Sequence, residues 1–232
     1  NSEQYSFSSN LENGWHIGLH LTISNLGWGD SHGGASVRVK WPGRTKYKFN
    51  KKLGKDKWSY SKNHLNIDIA DTRITTTDGK SIRLRHESSK VDMDITFRNR
   101  IPMWRPGSGQ VTTDDGYYKF NLISPRADVT GTITFGDDTY EVKGERSGYA
   151  EHVATNIAPY DLANRFSRFR DYDGDIFVMW REMKLTDDYG GESLTWILVG
   201  YKDQIVFSDA NADMRFARMR KDGESGYRFP MA

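Results

Sequence analysis

Cysteine is absent from the sequence, which excludes disulfides, thiolate metal sites and a cysteine nucleophile and leaves the redox compartment undecided. No apolar run approaches the roughly 20 residues that a bilayer-spanning helix needs, so no transmembrane segment is expected. Net charge is nearly lacking too: +2 over 232 residues is too little to argue for a nucleic-acid partner, and the basic residues read as spread along the chain rather than gathered in one stripe. The Gly-x-Ser-x-Gly match Gly29-Asp30-Ser31-His32-Gly33 lies in a Gly-rich stretch with no helical periodicity after it, unlike the strand-to-helix elbow of a serine hydrolase, and that reading is set aside. The chain begins Asn-Ser-Glu without Met, as a processed or trimmed form would, and any targeting segment would then already be missing. A cytoplasmic and a periplasmic or secreted location both stay open, as does the oligomeric state.

Strands are what the sequence does contain. Trp15 to Ile23 alternates apolar and small or polar residues with a period of two, the mark of a strand with one buried face. His16 and His20 fall on its polar face, roughly 13 Å apart along an extended chain, too far to share a metal. The Gly-rich stretch Ser24 to Gly34 lacks the Lys-Ser/Thr ending of a phosphate cradle and reads as a wide turn carrying an exposed Trp28. Short strands follow at Ala35–Trp41, Tyr47–Asn50, Lys57–Ser61, His64–Ile69, Arg73–Thr76, Ser81–His86 and Val91–Arg98, with Thr77-Asp78-Gly79-Lys80 as a hairpin turn. Asp92 and Asp94 sit on the solvent face of the last of these and read as solubilising charge.

Tyr117–Ile123, Val129–Phe135 and Thr139–Val142 bring the count to ten to twelve strands without a helix, which points to an antiparallel barrel or sandwich. Further strands are expected at Arg165–Tyr172, Asp175–Lys184, Leu194–Tyr201, Gln204–Ser208 and Met214–Met219. The segment Asp171-Tyr172-Asp173-Gly174-Asp175 imitates a calcium loop, but its Gly is fourth instead of sixth and strand-like residues follow, so a turn is the better reading.

Between the two β-rich halves lies Gly144 to Arg170, a polar joint that Pro159 and two glycines are expected to keep mostly out of regular strand. It carries Glu151, His152, Asn156, Arg165, Arg168 and Arg170, and a site is expected here. The opposing reading is that Glu151 and His152 only tie two sheets together through buried hydrogen bonds. The arginines are expected to pair with Asp171, Asp173 and Asp175 rather than to bind nucleic acid.

A family resemblance rests on several short stretches in order: Tyr5-Ser6-Phe7, Trp15 to Asn25, Ile101-Pro102-Met103-Trp104, Ile123-Ser124-Pro125, Val129 to Ile133, Gly148-Tyr149-Ala150-Glu151-His152 and Gly174 to Trp180. Together they resemble the two-domain lipocalin-like superfamily of carotenoid 1,2-hydratases, AttH-like bacterial proteins and eukaryotic survival-factor proteins. The family's joint usually reads Gly-Tyr-x-Asp-His-Asn-Trp-Gly; here Glu151 replaces the Asp, His152 matches, and Val153-Ala154-Thr155 follows. In the hydratase branch the acidic and His positions, with the neighbouring Trp, are implicated in protonating an alkene and handling the cation; the Trp position is lost here, and with it an aromatic face for a cation.

The resemblance implies an all-β fold, an antiparallel lipocalin-like β-barrel over residues 1–146. Residues 147–232 would hold the junction motif and the start of a second lipocalin-like domain, complete or incomplete. Two functions are expected. The first is binding of an apolar small molecule, a lipid or isoprenoid, in a cleft at the junction, with Tyr149, Trp104, Trp180 and Trp196 as lining and His152, Asn156 and Arg165 as polar contacts. The second is a cofactor-independent, metal-free hydratase, isomerase or cyclase in which Glu151 or His152 delivers the proton and Asp161 and Arg165 orient the substrate.

Overall fold

The structure, a computed structural model, describes residues 1–25, 31–43, 46–61, 64–76, 78–215, 219–224, 226 and 228–230. Twelve strands form one antiparallel sheet that curls into a nearly closed barrel. They are Ser2–Asn10 (β1), His16–Ser24 (β2), His32–Lys40 (β3), Tyr47–Leu53 (β4), Trp58–Ser61 (β5), Asn66–Ile69 (β6), Thr72–Thr76 (β7), Ser81–Glu87 (β8), Asp92–Asn99 (β9), Gln110–Thr113 (β10), Gly116–Phe135 (β11) and Asp138–Thr155 (β12). Their order is β4-β3-β2-β1-β12-β11-β9-β8-β7-β6-β5, with β10 paired to β11. A single helical turn, Pro159–Leu162 (α1), leads into a second antiparallel sheet of Ala163–Asp173 (β13), Ile176–Leu185 (β14), Ser193–Tyr201 (β15) and Gln204–Asp209 (β16). Met219–Lys221 (β17) and Arg228–Pro230 (β18) pair separately.

Alternation in the sequence becomes alternation in burial. Ile17, Leu19 and Leu21 of β2 are buried with Val37, Val39, Ile95 and Phe97 in the barrel core, each such side chain stabilising the fold by about 1.5–3 kcal/mol. A second core lies between the outer side of the barrel and β13–β16, built from Tyr118, Phe120, Leu122, Tyr149, Val153, Met179, Met183, Trp196 and Leu198.

The joint is not irregular. β12 runs unbroken through Gly144–Thr155 and β13 takes up again at Ala163, so only residues 156–162 leave strand. The physical reason is that β12 lies between the two cores: Tyr149 and Val153 face one, Ala150 the other. A strand buried on both sides loses its polar–apolar alternation. Tyr117–Ile123 and Val129–Phe135 are likewise one strand, β11. Its ladder with β12 shifts register between Asn121 and Val129, around Pro125, where a missing N–H is tolerated at a bulge. Gly148 is required by packing: a Cβ there would stand 2.7 Å from Val129 Cγ2 and 2.8 Å from Phe97 Cδ1.

The expected turns at Asp173-Gly174 and Lys202-Asp203 join β13 to β14 and β15 to β16. In the turn before β8, Asp78 Oδ1 accepts from the amides of Lys80 and Ser81, while Thr77 lies outside the described residues. So do Trp28 and residues 216–218 of the expected strand Met214–Met219.

Candidate functional site

The cleft lies where β13 and β14 cross the outer face of β1, β2 and β12. Outward-facing side chains on β1 and β2 are short and polar there: Ser2, Gln4, Ser6, His20, Thr22 and Ser24. On the same face Tyr118 of β11 and Val153 of β12 continue the lining, Ala158, Pro159, Tyr160 and Phe166 border it from α1 and β13, and Glu151, Arg168 and Arg181 add charged groups. The cleft volume is about 500 Å3, within the size of small-molecule sites. Polar and apolar side chains lie side by side along it, which suits an amphiphile.

Glu151 is 5 % exposed and is an acceptor at every contact. Tyr149 Oη donates to Oε2 at 2.7 Å, Arg168 Nη1 to Oε1 at 3.0 Å, and Arg181 Nη1 stands 3.5 Å from Oε2. Arg181 Nη2 also donates to Tyr118 Oη at 2.9 Å, and its guanidinium lies 4.3 Å over the Phe120 ring. Burial first, then the Glu151 charge, push the Tyr149 phenol well above its usual range. These partners come from three strands because Tyr149 and Glu151 on β12, Arg168 on β13 and Arg181 on β14 all point into the same interlayer space.

His152 points the other way. Its ring stacks on Tyr5 at 4.3 Å and 14° between planes, and Nε2 lies 3.2 Å from Glu3 Oε2. That hydrogen bond holds the Glu3 carboxyl below its usual range. Glu151 and His152 therefore do not form a pair. The imidazole that shares the cleft with Glu151 is His20, with Nδ1 2.8 Å from Ser6 Oγ and Nε2 3.0 Å from Thr22 Oγ1. Burial pushes His20 below the usual imidazole range; Glu151 opposes this and Arg168 and Arg38 reinforce it.

The other nominated residues are dispersed. Trp196 is buried in the second core, stacked on Phe120 at 5.6 Å. Trp180 stacks on Phe169 at 6.3 Å on the face of the second sheet turned away from the cleft. Trp104 pairs its backbone with Leu122 and packs partly buried against the second core. Asn156 Oδ1 accepts from the Tyr117 amide at 2.6 Å, fastening the end of β12.

Arg165 forks onto Glu182, with Nε–Oε2 2.9 Å and Nη2–Oε1 2.6 Å. Burial raises Glu182, but the Arg165 contacts outweigh it and leave the carboxyl below its usual range. The arginine run thus pairs with Glu151 and Glu182 instead of the aspartates that follow it. Among the cleft residues not singled out from sequence are Ser6, Thr22 and Arg181. His20 was seen only as a polar face residue, and its spacing of two from Thr22 on one strand was the available signal.

A lipocalin-like barrel with a second β-sheet folded over its outer wall, and a polar-floored cleft between them, is the class that this fold and site define. Solved structures of the same architecture bear out the resemblance read from the motifs. An AttH-like protein of Nitrosomonas europaea matches over 99 % of this chain and 75 % of its own, with a TM-score of 0.67 at 12 % identity. Kievitone hydratase of Nectria haematococca matches over 99 % and 70 %, at 0.63 and 10 %. CghA in complex with Sch210972 matches over 96 % and 63 %, at 0.64 and 11 %. In sequence, the ceramide-binding protein SVF1 of Yarrowia lipolytica is 21 % identical over 171 residues, 71 % of this chain. The chain spans 42 % of that relative's length. No family model matches.

Proposed function

We propose that the protein binds a lipid-like amphiphile in the cleft between the barrel and the second sheet. The apolar part would lie against Tyr118, Val153, Tyr160 and Phe166, and hydroxyl or amide groups would face Ser6, His20 and Thr22. The observation that carries this reading is the cleft itself, which sets apolar side chains beside a row of hydrogen-bonding ones. The ceramide-binding relative supports it, since a ceramide has two chains and a head of hydroxyls and an amide. Titration of delipidated protein with a fluorescent ceramide analogue tests it. Saturable binding is expected, with loss of at least tenfold in affinity for Thr22→Trp, which fills the cleft at an outward-facing position. Absence of saturable binding, or a Thr22→Trp variant with unchanged affinity, overturns it.

A second reading, acid–base chemistry on the bound ligand, is favoured by one observation: a carboxylate and a neutral-leaning imidazole, Glu151 and His20, border the same space. In this reading His20 takes the place expected of His152: it removes a proton from the water that adds to a polarised alkene and returns it, as the imidazolium, to the neighbouring carbon; the likeness to a hydratase supports it. Turnover of an alkene-bearing ligand that disappears in His20→Gln, with binding retained, is the expected result. Full turnover in His20→Gln sinks it.

A further inference from the structure

The cations of the chain are not spread evenly, and the expectation that they are is corrected here. Between His32 and Lys57 stand nine Lys or Arg against one acid, Asp56, an excess of eight positive charges in a chain whose total is +2. β3 and β4 fold this segment onto one edge of the barrel. On the opposite side, arginines are neutralised across strands: Arg73 by Asp68, and Arg83 and Arg85 by Asp94. Among the described residues Arg38, Lys40, Lys46 and Lys48 have no carboxylate partner.

Beside this edge the outer face of the barrel is dented. Register places Tyr149, Ser8, Gly18 and Arg38 in one row across β12, β1, β2 and β3. Gly18 leaves the floor open: a Cβ there would meet nothing nearer than His16 Nε2 at 3.5 Å. The resulting hollow, about 530 Å3, is lined by Ser8, His16, Ser36, Arg38, Asn50 and Arg170 among others, and it shares Ser6, His20, Glu151 and Arg168 with the cleft. Arg170 crosses from the second sheet with its guanidinium 3.9 Å over the Tyr149 ring, and among the described residues no carboxylate pairs with it. The one acid in the hollow, Glu151, is already engaged by Arg168 and Arg181.

We propose that the hollow over Gly18 binds a tetrahedral oxyanion, the phosphate of an amphiphile whose apolar part lies in the adjoining cleft or inorganic phosphate alone. The proposal rests on the reading of the cleft as a lipid site only for its first form. Two guanidinium groups on facing walls, hydroxyls of Ser8 and Ser36 and the Asn50 amide offer donors in the number a phosphate accepts. The unbalanced field of β3 and β4 raises the local concentration of anions. His16 registers that field: burial first, then Arg170, Lys46, Lys40 and Arg38, hold its imidazole below the usual range. A bound anion relieves the repulsion and moves His16 back up.

The test compares inorganic phosphate, dihexanoyl phosphatidic acid and the neutral dihexanoylglycerol by calorimetric titration, with the His16 ring followed by NMR. Phosphate alone is expected to shift the His16 titration upward, and the phosphatidic acid to bind at least tenfold tighter than the diacylglycerol. Arg38→Gln with Arg170→Gln should erase that advantage and leave the neutral lipid's affinity unchanged. Gly18→Leu, which fills the hollow and keeps every charge, should do the same. Equal affinity for the two lipids with His16 unmoved overturns the oxyanion site and leaves the lipid cleft standing. A phosphate-induced His16 shift with no binding of the neutral lipid overturns the cleft reading and leaves the oxyanion site standing. An advantage for phosphate that survives both sets of variants overturns the assignment to this hollow.

Discussion

Glu151 and His152, consecutive in the chain, lie on opposite faces of β12: the carboxylate opens onto the interlayer cleft, while the imidazole stacks on Tyr5 within the barrel. Their side chains act in different cores, and substitutions at the two positions separate binding from stability.

Glu151→Ala leaves Arg181, whose side chain is 12 % exposed, without its carboxylate, a loss of about 3–5 kcal/mol for a broken buried pair. Glu151→Gln keeps an acceptor and costs less, and both lower ligand affinity. His152→Ala removes a ring stack and one hydrogen bond, about 1–2 kcal/mol together, with ligand affinity unchanged. Urea denaturation beside ligand titration distinguishes the two; equal binding defects at both positions would contradict the opposed geometry.

Stability should fall on acidification, beginning near neutrality. Burial holds the His86 and His20 imidazoles below their usual range, with Asp71 and Asp92 opposing at His86 and Glu151 at His20. As pH drops below about 6.5 the unfolded chain takes up these protons first, so unfolding is favoured until the folded imidazoles also protonate. Glu3 behaves oppositely in origin: its contribution is present above the ordinary Glu value and is lost only as pH falls through its lowered folded one. Urea midpoints measured from pH 8 to 2 should show both steps. His86→Phe should flatten the upper one, and a midpoint constant between pH 7.5 and 5 would refute the assignment.

Arg126 ties the two sheets together. It is 3 % exposed and donates to the carbonyls of Gly174 and Asp175 at 2.5 and 3.0 Å, with Tyr172 beneath its guanidinium. Arg126→Lys cannot reach both carbonyls at once, and a loss of about 2–4 kcal/mol is expected, charge-assisted hydrogen bonds contributing about 1.5–3 kcal/mol each. Amide exchange in the β13–β14 turn should accelerate before that of β2. An unchanged melting midpoint would show that the turn is held by something else.

Arg165 is a structural residue by its contacts. Arg165→Ala strands Glu182, which is 1 % exposed and otherwise accepts from Ser193 Oγ at 3.2 Å. About 2–3 kcal/mol of stability should go, less than for a fully buried pair because the arginine itself is half exposed. Lipid affinity, measured where both proteins are folded, should not change.

Half-buried strands could be read in the sequence because each shows water on one side: β2 and β9 are the clearest, and their bounds differ from the structure by a residue. β1 leaves a weaker mark because its outward positions are small: Ser6 borders the cleft and Ser8 the hollow beside it. β12 was read as irregular because both of its faces are covered. Trp104, Trp180 and Trp196, nominated for the ligand, lie outside the lining of the cleft, since indole size alone does not tell which side of a sheet faces a cavity. His20, Arg168 and Arg181 meet only because the second sheet folds back across the first, a tertiary event with no local signature. The excess of cations in β3 and β4 was present in the sequence but diluted by the balanced total.

β11 and β12 supply a single partition to two greasy chambers, Val129 and Ala150 to one side, Phe120 and Tyr149 to the other. Heat that strips either chamber leaves the partition half wet, so neither half has a solvated state of its own to rest in. The protein should melt as one unit, with a lone calorimetric peak.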